Sequence, residues 1–364
     1  MDTAERRAVV GLWSIQGVGA KGFAAFEARV PRREWAALPM REVASLYTDK
    51  PGLRARLFRG PGLLARAEVV EAQLRRCGGR VCLSGDAEYP GALVGLEGAP
   101  PVLFMKGPGA ARAGRGQVAI VGTRAVPDEW RSWTFELARA CARQGLVVAS
   151  GGAEGVDSAA HAGALAGGGV TWVFAASGLD QLDDPPKRVL ASLDARSTMF
   201  TALPPGVRAN DGLFVQRNRF ISGAAQAVVV VRGKEDSGAR HTAQYALEQR
   251  RPLLAVPPGP MEPNAGLCRA LLREGCAPCF DVSDVMRALS VEATTMADEV
   301  FERAAIDARV RDLLERLPAG AFTMERALEA LPELSSGDVT ALLVELELAG
   351  WVVPRSGRRY EKRA

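Results

Sequence analysis

Short apolar runs recur through the middle of the chain, and each run ends near a turn rich in Gly, Ser, Thr and Arg. The runs are Val118–Val121, Leu146–Ala149, Thr171–Ala176, Ala227–Val231 and Leu253–Val256. Most of the intervals between them are long enough for a crossover helix, which is typical of a parallel sheet. The pattern therefore predicts an α/β fold built on a parallel sheet.

Ligands bind at the carboxyl ends of the strands in such sheets, so the polar residues beside each run are expected to line one cleft. These candidates are Gly122, Thr123 and Arg124 after the first run, Ser150, Gly151 and Gly152 after the second, Arg217, Asn218 and Arg219 before the fourth, and Ser237 and Gly238 after it. Glycines expose backbone N–H groups, helix starts attract anions, and arginines hold phosphates with a planar fork. We therefore expect a phosphate-binding cleft.

Two of these segments have a more specific pattern. Ser150 to Asp157 indicates a glycine loop and then a helix start, with Asp157 as a favourable partner of the helix dipole and His161 as a packed helix residue. Arg217-Asn218-Arg219 is interpreted as the start of a helix, with two guanidinium groups that have no nearby carboxylate. Such arginines usually await an anion.

The flanks of the sheet region have a different character. Residues up to about Gly78 are expected to be helical, and Ile15 to Gly22 forms either a tight turn between helices or a hairpin that offers N–H groups to a phosphate. Short strands are expected between Arg80 and Gly107. The chain after Leu289 predicts a linker, three helices at 308–317, 323–330 and 335–349, and then a two-stranded hairpin, which is the winged-helix order.

Composition narrows the function classes. The 364 residues predict two or three domains, and the net charge of +4 permits nucleic-acid binding without arguing for it. No apolar run approaches the length of about 20 residues that spans a bilayer, so a cytoplasmic protein is expected. The six cysteines are then reduced thiols, and the single CxxC pair Cys276 and Cys279 predicts no metal site. The GxxxxGK[ST] loop of a P-loop ATPase is missing from the chain.

Taken in order, these segments resemble the DNA-processing protein A family, also called DprA or Smf. Gly122-Thr123-Arg124 is similar to the family's Gly-Ser-Arg, and Ser150 to His161 is similar to its Ser-Gly-x-Ala-x-Gly-Ile-Asp-x-x-Ala-His. Four further motifs follow in family order, namely Gly178-Leu179-Asp180, Pro204-Pro205-Gly206, Arg217-Asn218-Arg219 and Ser237-Gly238. The chain departs from the family at Asp183 to Lys187, where the family has Tyr-Pro and then Asn; Lys187 or Arg188 is the candidate substitute.

The resemblance implies a domain order and a function. It implies an N-terminal helical domain of the SAM or helix-hairpin-helix kind at 1–78, a Rossmann-like DNA-binding domain at 79–290, and a linker with a winged helix at 291–364. It implies a homodimer, with no cofactor, that binds and protects single-stranded DNA and helps to load RecA in natural transformation and homologous recombination. The DNA-binding residues it implies are Gly122, Thr123, Arg124, Gly151, Gly152, Lys187, Arg217, Asn218, Arg219, Ser237 and Gly238.

Two other functions remain open from the residues. A related Rossmann enzyme would bind or hydrolyse a nucleoside phosphate, but Ser237 to Ala243 offers no carboxylate after the glycine, so no enzyme is predicted. A regulator of duplex DNA would read bases with the third C-terminal helix, but that helix carries Asp338, Glu345 and Glu347 and no Lys or Arg. A protein contact suits that helix at least as well.

Overall fold

The computed structural model describes residues 2–47, 51–112, 114–182, 196–259, 262, 264–290, 316–318, 320–332, 334–348, 352–355 and 359–362. The chain forms two compact units, Met1–Val291 and Glu292–Ala364. The expected linker after Leu289 and the candidate Lys187 lie outside the described residues.

The first unit begins with helices, as the sequence predicts. They are α1 (Thr3–Trp13), α2 (Gly19–Glu27), α3 (Met40–Ser45), α4 (Pro51–Arg59) and α5 (Leu63–Arg76). The side chain of Asp2 caps α1 by accepting a hydrogen bond from the backbone N–H of Glu5, at 2.7 Å. Trp35 lies at the centre of the helical core, with the rings of Phe23 and Phe26 edge-on to it.

A nine-stranded sheet follows. Its strands are β1 (Arg80–Leu83), β2 (Val102–Lys106), β3 (Gly116–Val121), β4 (Leu146–Ser150), β5 (Thr171–Phe174), β6 (Ser197–Thr201), β7 (Ala227–Val230), β8 (Leu253–Ala255) and β9 (Ala277–Pro278). The helices among them are α6 (Asp128–Arg143), α7 (Val156–Ala166), α8 (Asp211–Gly223), α9 (Gly238–Glu248), α10 (Gly266–Arg273) and α11 (Val282–Ala288). Every predicted run is a strand, whereas β6 and β9 were not predicted.

The strand order is β1-β2-β6-β5-β4-β3-β7-β8-β9. In this spatial order, all neighbouring strands from β6 through β3 to β9 are parallel. β2 pairs with β6 in antiparallel orientation, and β1 pairs with β2 in the same way. From β3 the chain moves outward through β4, β5 and β6, and it then returns to the other side of β3 with β7. The order therefore reverses between β3 and β7, and the loops that leave these two strands diverge to open a crevice.

Both faces of the sheet are buried. Within β3, Ala119 and Val121 belong to one hydrophobic core, and Val118 and Ile120 belong to another. At the β1 side of the sheet, the N-terminal helices pack on a row of apolar side chains: Leu83, Val102, Phe104, Val173 and Met199. The helices and the sheet thus share one core and form one body, which fixes the helices beside the crevice.

The second unit contains α12 (Met324–Ala330), α13 (Ser336–Leu348) and a three-stranded antiparallel sheet of β10 (Ala321–Thr323), β11 (Val352–Arg355) and β12 (Arg359–Lys362). The hydroxyl of Ser335 accepts a hydrogen bond from the Asp338 backbone N–H at 3.2 Å and so caps the start of α13. The hairpin is confirmed, whereas β10 was not predicted. The predicted helix 308–317 lies almost wholly outside the described residues, and the winged-helix assignment stays a prediction. No helix in the described ranges is long and apolar enough to cross a membrane.

Candidate functional site

A cleft of about 480 Å³ opens at the carboxyl ends of β3 and β7, where the strand order reverses. We call it the switch cleft. Its lining includes these predicted residues: Gly122, Thr123, Arg124, Arg217, Asn218, Ser237 and Gly238. Other lining residues that the sequence did not single out for this cleft are Asp157, Phe214, Lys234, Asp236, Thr242 and Asn264. Most of the predicted set is thus brought together at one place.

The loop after β3 is fixed from both sides. The backbone N–H of Thr123 donates to the carbonyl oxygen of Arg232 at 2.8 Å, and the carbonyl of Thr123 accepts from the N–H of Val156 at 3.2 Å. A Cβ atom at Gly122 would lie 2.6 Å from the Val156 side chain and 2.9 Å from the Arg232 carbonyl oxygen. Glycine is therefore required there by close packing, and the loop is held ready to present Arg124.

The helix that carries Arg217 begins earlier than the sequence suggested. Asn210 caps α8 by accepting a hydrogen bond from the N–H of Leu213 at 3.1 Å, so Arg217-Asn218-Arg219 lies in the second half of the helix and not at its start. The Arg217 side chain is 7% exposed, and its Nη1 donates to the carbonyl oxygens of Gly151 and Phe174. Its Nε has no partner in the part of the chain that the structure describes.

Arg217 does have a carboxylate nearby, contrary to the interpretation of the sequence. A Cβ atom at Gly151 would lie 2.5 Å from Arg217 Nη1 and 2.7 Å from Asp157 Oδ2, so both groups converge on this glycine. Burial raises the pKa of Asp157, an effect that the Arg217 charge opposes. Burial lowers the pKa of Arg217 to about 10, which still leaves the guanidinium charged at neutral pH.

Gly151 and Gly152 therefore act behind the cleft wall. Gly151 accepts from Arg217 through its carbonyl oxygen, and Gly152 has a φ of +74°, a conformation that favours glycine. Neither residue lines the switch cleft. The glycine loop positions Arg217 and the start of α7, which begins at Val156 with Asp157 in its first turn as predicted.

Arg219 faces away from the switch cleft. With about 3.6 residues per turn, residues two apart on a helix point in nearly opposite directions. The Arg219 guanidinium donates to the carbonyl oxygen of Glu97 at 2.7 Å and lies 5.9 Å from the ring centre of Tyr245. Its neighbour Asn218 reaches the cleft, where Nδ2 donates to the Gly238 carbonyl oxygen at 3.1 Å and ties α8 to α9. The prediction that Arg219 belongs to the same cleft is wrong.

An aromatic ring lies close to both cleft arginines. Phe214 has the guanidinium of Arg124 5.3 Å from its ring centre and that of Arg217 6.0 Å from it. Arg124 is exposed, whereas Phe214 is half-buried. The sequence contained a signal for Phe214, because a residue three positions before Arg217 shares its helix face. Lys234 lies in the loop between β7 and α9, and no helical or strand pattern indicated it.

The opposite wall of the switch cleft is a helix start. Ser237 precedes α9 at the cap position without a capping hydrogen bond, and its buried hydroxyl has no partner within the described residues. A Cβ atom at Gly238 would meet nothing within 4 Å, so the backbone there is open to a ligand. The first N–H groups of a helix carry partial positive charge, which suits an anion.

The two cysteines of the CxxC pair differ in burial. Cys279 is buried and Cys276 is half-buried, and burial raises the pKa of both thiols. Among the residues the structure describes, no three His, Cys, Asp or Glu side chains cluster in a way that would hold a metal ion.

The fold and the cleft define a doubly wound α/β protein. At its switch point, where the strand order reverses between β3 and β7, the cleft presents cationic side chains, a helix start and an aromatic ring. Residues 80–290 match the family model of DNA recombination-mediator protein A. The chain belongs to this family.

Relatives and solved structures agree with this assignment. The chain is 34% identical over 315 residues to the putative DNA processing protein DprA of Mycobacterium tuberculosis, covering 80% of this chain and 79% of that protein. It is 30% identical over 315 residues to the Smf protein of Synechocystis, covering 76% and 79%. The fold is similar to that of DprA from Streptococcus pneumoniae, with a TM-score of 0.66 at 23% identity, covering 81% of this chain and 99% of that one.

A second solved structure comes from Helicobacter pylori. That DNA processing protein A is described as binding single-stranded DNA, and it matches with a TM-score of 0.50 at 26% identity, covering 55% of this chain and 91% of that one.

Proposed function

We propose that the protein binds single-stranded DNA in the switch cleft and acts as a mediator of homologous recombination. The observation that carries this proposal is the placement of the Phe214 ring close to both Arg124 and Arg217. Sites for single strands combine cations that follow the backbone with aromatic rings on which bases stack. Family membership and the single-stranded DNA binding of the Helicobacter pylori relative support the same assignment.

Each cleft residue has a role in this proposal. Arg124 and Lys234 hold phosphate oxygens from the rim, and Arg217 supplies positive charge from the cleft wall. Thr123 and Ser237 offer hydroxyl groups, and the N–H at Gly238 offers a backbone donor at the helix start. Asn218, Gly151 and Gly152 contribute by fixing the walls. Lys187 stays a candidate from the sequence.

The wider role follows from the family resemblance. In this proposal the protein protects incoming single strands and helps to load the RecA recombinase in natural transformation, as a non-enzymatic homodimer. The proposed domains remain 1–78, 79–290 and 291–364. The sequence of α13 carries Asp338, Glu345 and Glu347 and no Lys or Arg, which supports a protein contact for the second unit over duplex reading.

A binding assay with an arginine variant tests the site. Arg124→Ala removes one exposed phosphate contact, so affinity for a thymidylate oligomer should fall about fivefold at 0.1 M salt, and the salt slope should fall by about 0.7. Arg143→Ala is the matched control, because Arg143 ends α6 near the amino end of β4, whereas the switch cleft opens at the carboxyl ends of the strands. Parental binding by Arg124→Ala would contradict the assignment.

The same assay includes a nucleoside monophosphate and a DNA duplex. Asp157 and Asp236 line the switch cleft, so carboxylates are present where a glycosidase would need one. Release of free base from the monophosphate would replace the binding proposal with the enzyme. Tighter binding of duplex than of single strand would move the DNA site out of this cleft.

A further inference from the structure

A second cavity of about 820 Å³ lies between the N-terminal helices and the sheet. We call it the helix–sheet cavity. It is lined by the turn between α1 and α2, by the loop from Ala202 to Asn210 after β6, and by one face of α8. The turn is the Ile15 to Gly22 segment, for which the sequence left open a phosphate-binding role.

The charges around this cavity favour an anion. Three arginines line it, Arg66, Arg208 and Arg217, and no Asp or Glu occurs among its described lining residues. Arg208 is exposed and has no hydrogen-bond or ion-pair partner within the described part of the chain. Arg66 is anchored, because its Nε donates to the Pro61 carbonyl oxygen at 3.1 Å. An unpaired cation at the rim of a cavity without carboxylates attracts phosphate groups.

The helix–sheet cavity and the switch cleft share one lining residue. Arg217 lines both, while Phe214 and Asn218 on the same helix line only the cleft, and Gln216 and Phe220 line only the cavity of the two. Arg217 is more than nine-tenths buried, and its Nε is left without a partner by the described residues. Because both sites adjoin this residue, a strand that passes Arg217 would run from the cleft toward the helix–sheet cavity.

The remaining lining suits the bases and backbone of a strand. Trp13 provides a half-buried ring, and Pro204 and Pro205 add half-buried apolar surface. Trp13 is held in place by its Nε1, which donates to the Ala202 carbonyl oxygen at 2.8 Å. The turn has positive φ values at Gly17 (+100°) and Gly19 (+56°), and turns of this kind expose backbone N–H groups to anions.

We propose that the helix–sheet cavity is the continuation of the single-strand path, so that the N-terminal helices hold the nucleotides that extend beyond the switch cleft. This inference rests on the proposed function of that cleft. It gives the α1–α2 turn and Arg208 a role in binding phosphate and assigns the N-terminal helices to the DNA site.

A length series tests the proposal. Affinities for thymidylate oligomers from about 4 to about 24 nucleotides are measured at several salt concentrations for the parent and Arg208→Ala. We expect parental affinity for the shortest oligomers, which the switch cleft alone holds. For oligomers long enough to reach Arg208 we expect a loss of about fivefold at 0.1 M salt and a salt slope smaller by about 0.7.

Two control variants show whether the effect depends on the charge and the position of Arg208. Arg208→Lys keeps the charge and should keep the parental slope. Arg143 lines neither site, so Arg143→Ala should behave as the parent at every length. Arg208→Ala binding like the parent at all lengths, or losing as much on the shortest oligomers as on long ones, would overturn the continuation. Failure of the proposed function has another signature, which is parental binding of the shortest oligomers by Arg124→Ala.

Discussion

At the scale of single residues, the site depends on which face of α8 each side chain occupies. Arg217 and Arg219 look equivalent in the sequence. Arg217 is buried in the wall of the switch cleft, whereas Arg219 donates to the Glu97 carbonyl oxygen. The helical period alone separates them, so this much was predictable once the helix was placed correctly. The partners of Arg217 were not predictable, because Gly151 and Phe174 come from distant segments.

His161 shows the same limit. The sequence indicated a packed helix residue, and the side chain is 2% exposed. Thr171 Oγ1 donates to the Val148 carbonyl oxygen, so it must accept from His161 Nδ1–H, at 2.7 Å. Burial, reinforced by the Arg217 charge, lowers the pKa of His161 to about 3. A neutral histidine thus lies close to the buried guanidinium and adds no second positive charge there at neutral pH.

Replacement of the aromatic ring tests the residue-scale argument. Phe214→Ala removes the aromatic ring that lies close to two guanidinium groups. If one base stacks on this ring, its loss should cost about 1–3 kcal/mol of binding free energy. The salt slope should stay near the parental value, since no charge is lost. Fluorescence anisotropy with a labelled oligomer measures both quantities.

Phe58→Ala provides the matched control, because Phe58 is 65% exposed on α4 and lines neither cavity. Equal affinities of the Phe214 and Phe58 variants would exclude stacking at Phe214.

At the scale of elements, apolar runs predicted the strands that matter most for the site. The apolar-run pattern did not predict β6, because Ser197, Thr198 and Thr201 are polar although all three are buried. The start of α8 was misplaced because its true signal is the cap Asn210, seven residues before Arg217. The order of strands, which creates the switch point, is a tertiary property that no run of residues encodes locally.

The contact between α7 and the loop after β3 yields an element-scale prediction. Gly155 has a φ of +84°, and a Cβ there would lie 2.4 Å from the Arg124 carbonyl oxygen and 2.5 Å from that of Thr123. Gly155→Ala should therefore destabilise the protein by at least about 1–2 kcal/mol and displace the loop, weakening single-strand binding. Urea unfolding and DNA titration measure the two effects.

Gly206→Ala is the comparison for this variant. Gly206 has a φ of +86° but would meet nothing within 4 Å, so it carries the backbone strain without the collision. A Gly155 variant no less stable than the Gly206 variant would show that the α7 contact does not hold the loop.

At the scale of the whole molecule, docking of the N-terminal helices creates the helix–sheet cavity. Composition predicted helices there, but nothing in it predicted that they share a core with Phe104 and Met199 of the sheet. A polar contact reinforces this docking, since both terminal nitrogens of Arg6 donate to the Asp86 carboxylate, at 2.6 and 2.8 Å. Asp86 also accepts from the Leu83 N–H at 2.8 Å, at the end of β1.

This contact gives the stability of the docked molecule a defined pH dependence. The hydrogen bonds from Arg6 hold the pKa of Asp86 below its ordinary value, so the carboxylate stabilises the folded state above about pH 4 and loses that effect as the pH falls through its folded pKa. Asp86→Asn should lower stability at pH 7 by roughly 1 kcal/mol, a modest value because Arg6 is partly exposed. Below pH 4 the difference in stability between parent and variant should shrink, which the urea midpoints of unfolding across pH measure.

Asp128→Asn is the control. It breaks an exposed ion pair with Arg131 and should change the stability little at any pH. A deficit for Asp86→Asn that is the same at pH 3 and pH 7 would mean that the Asp86 charge does not secure the helices to the sheet.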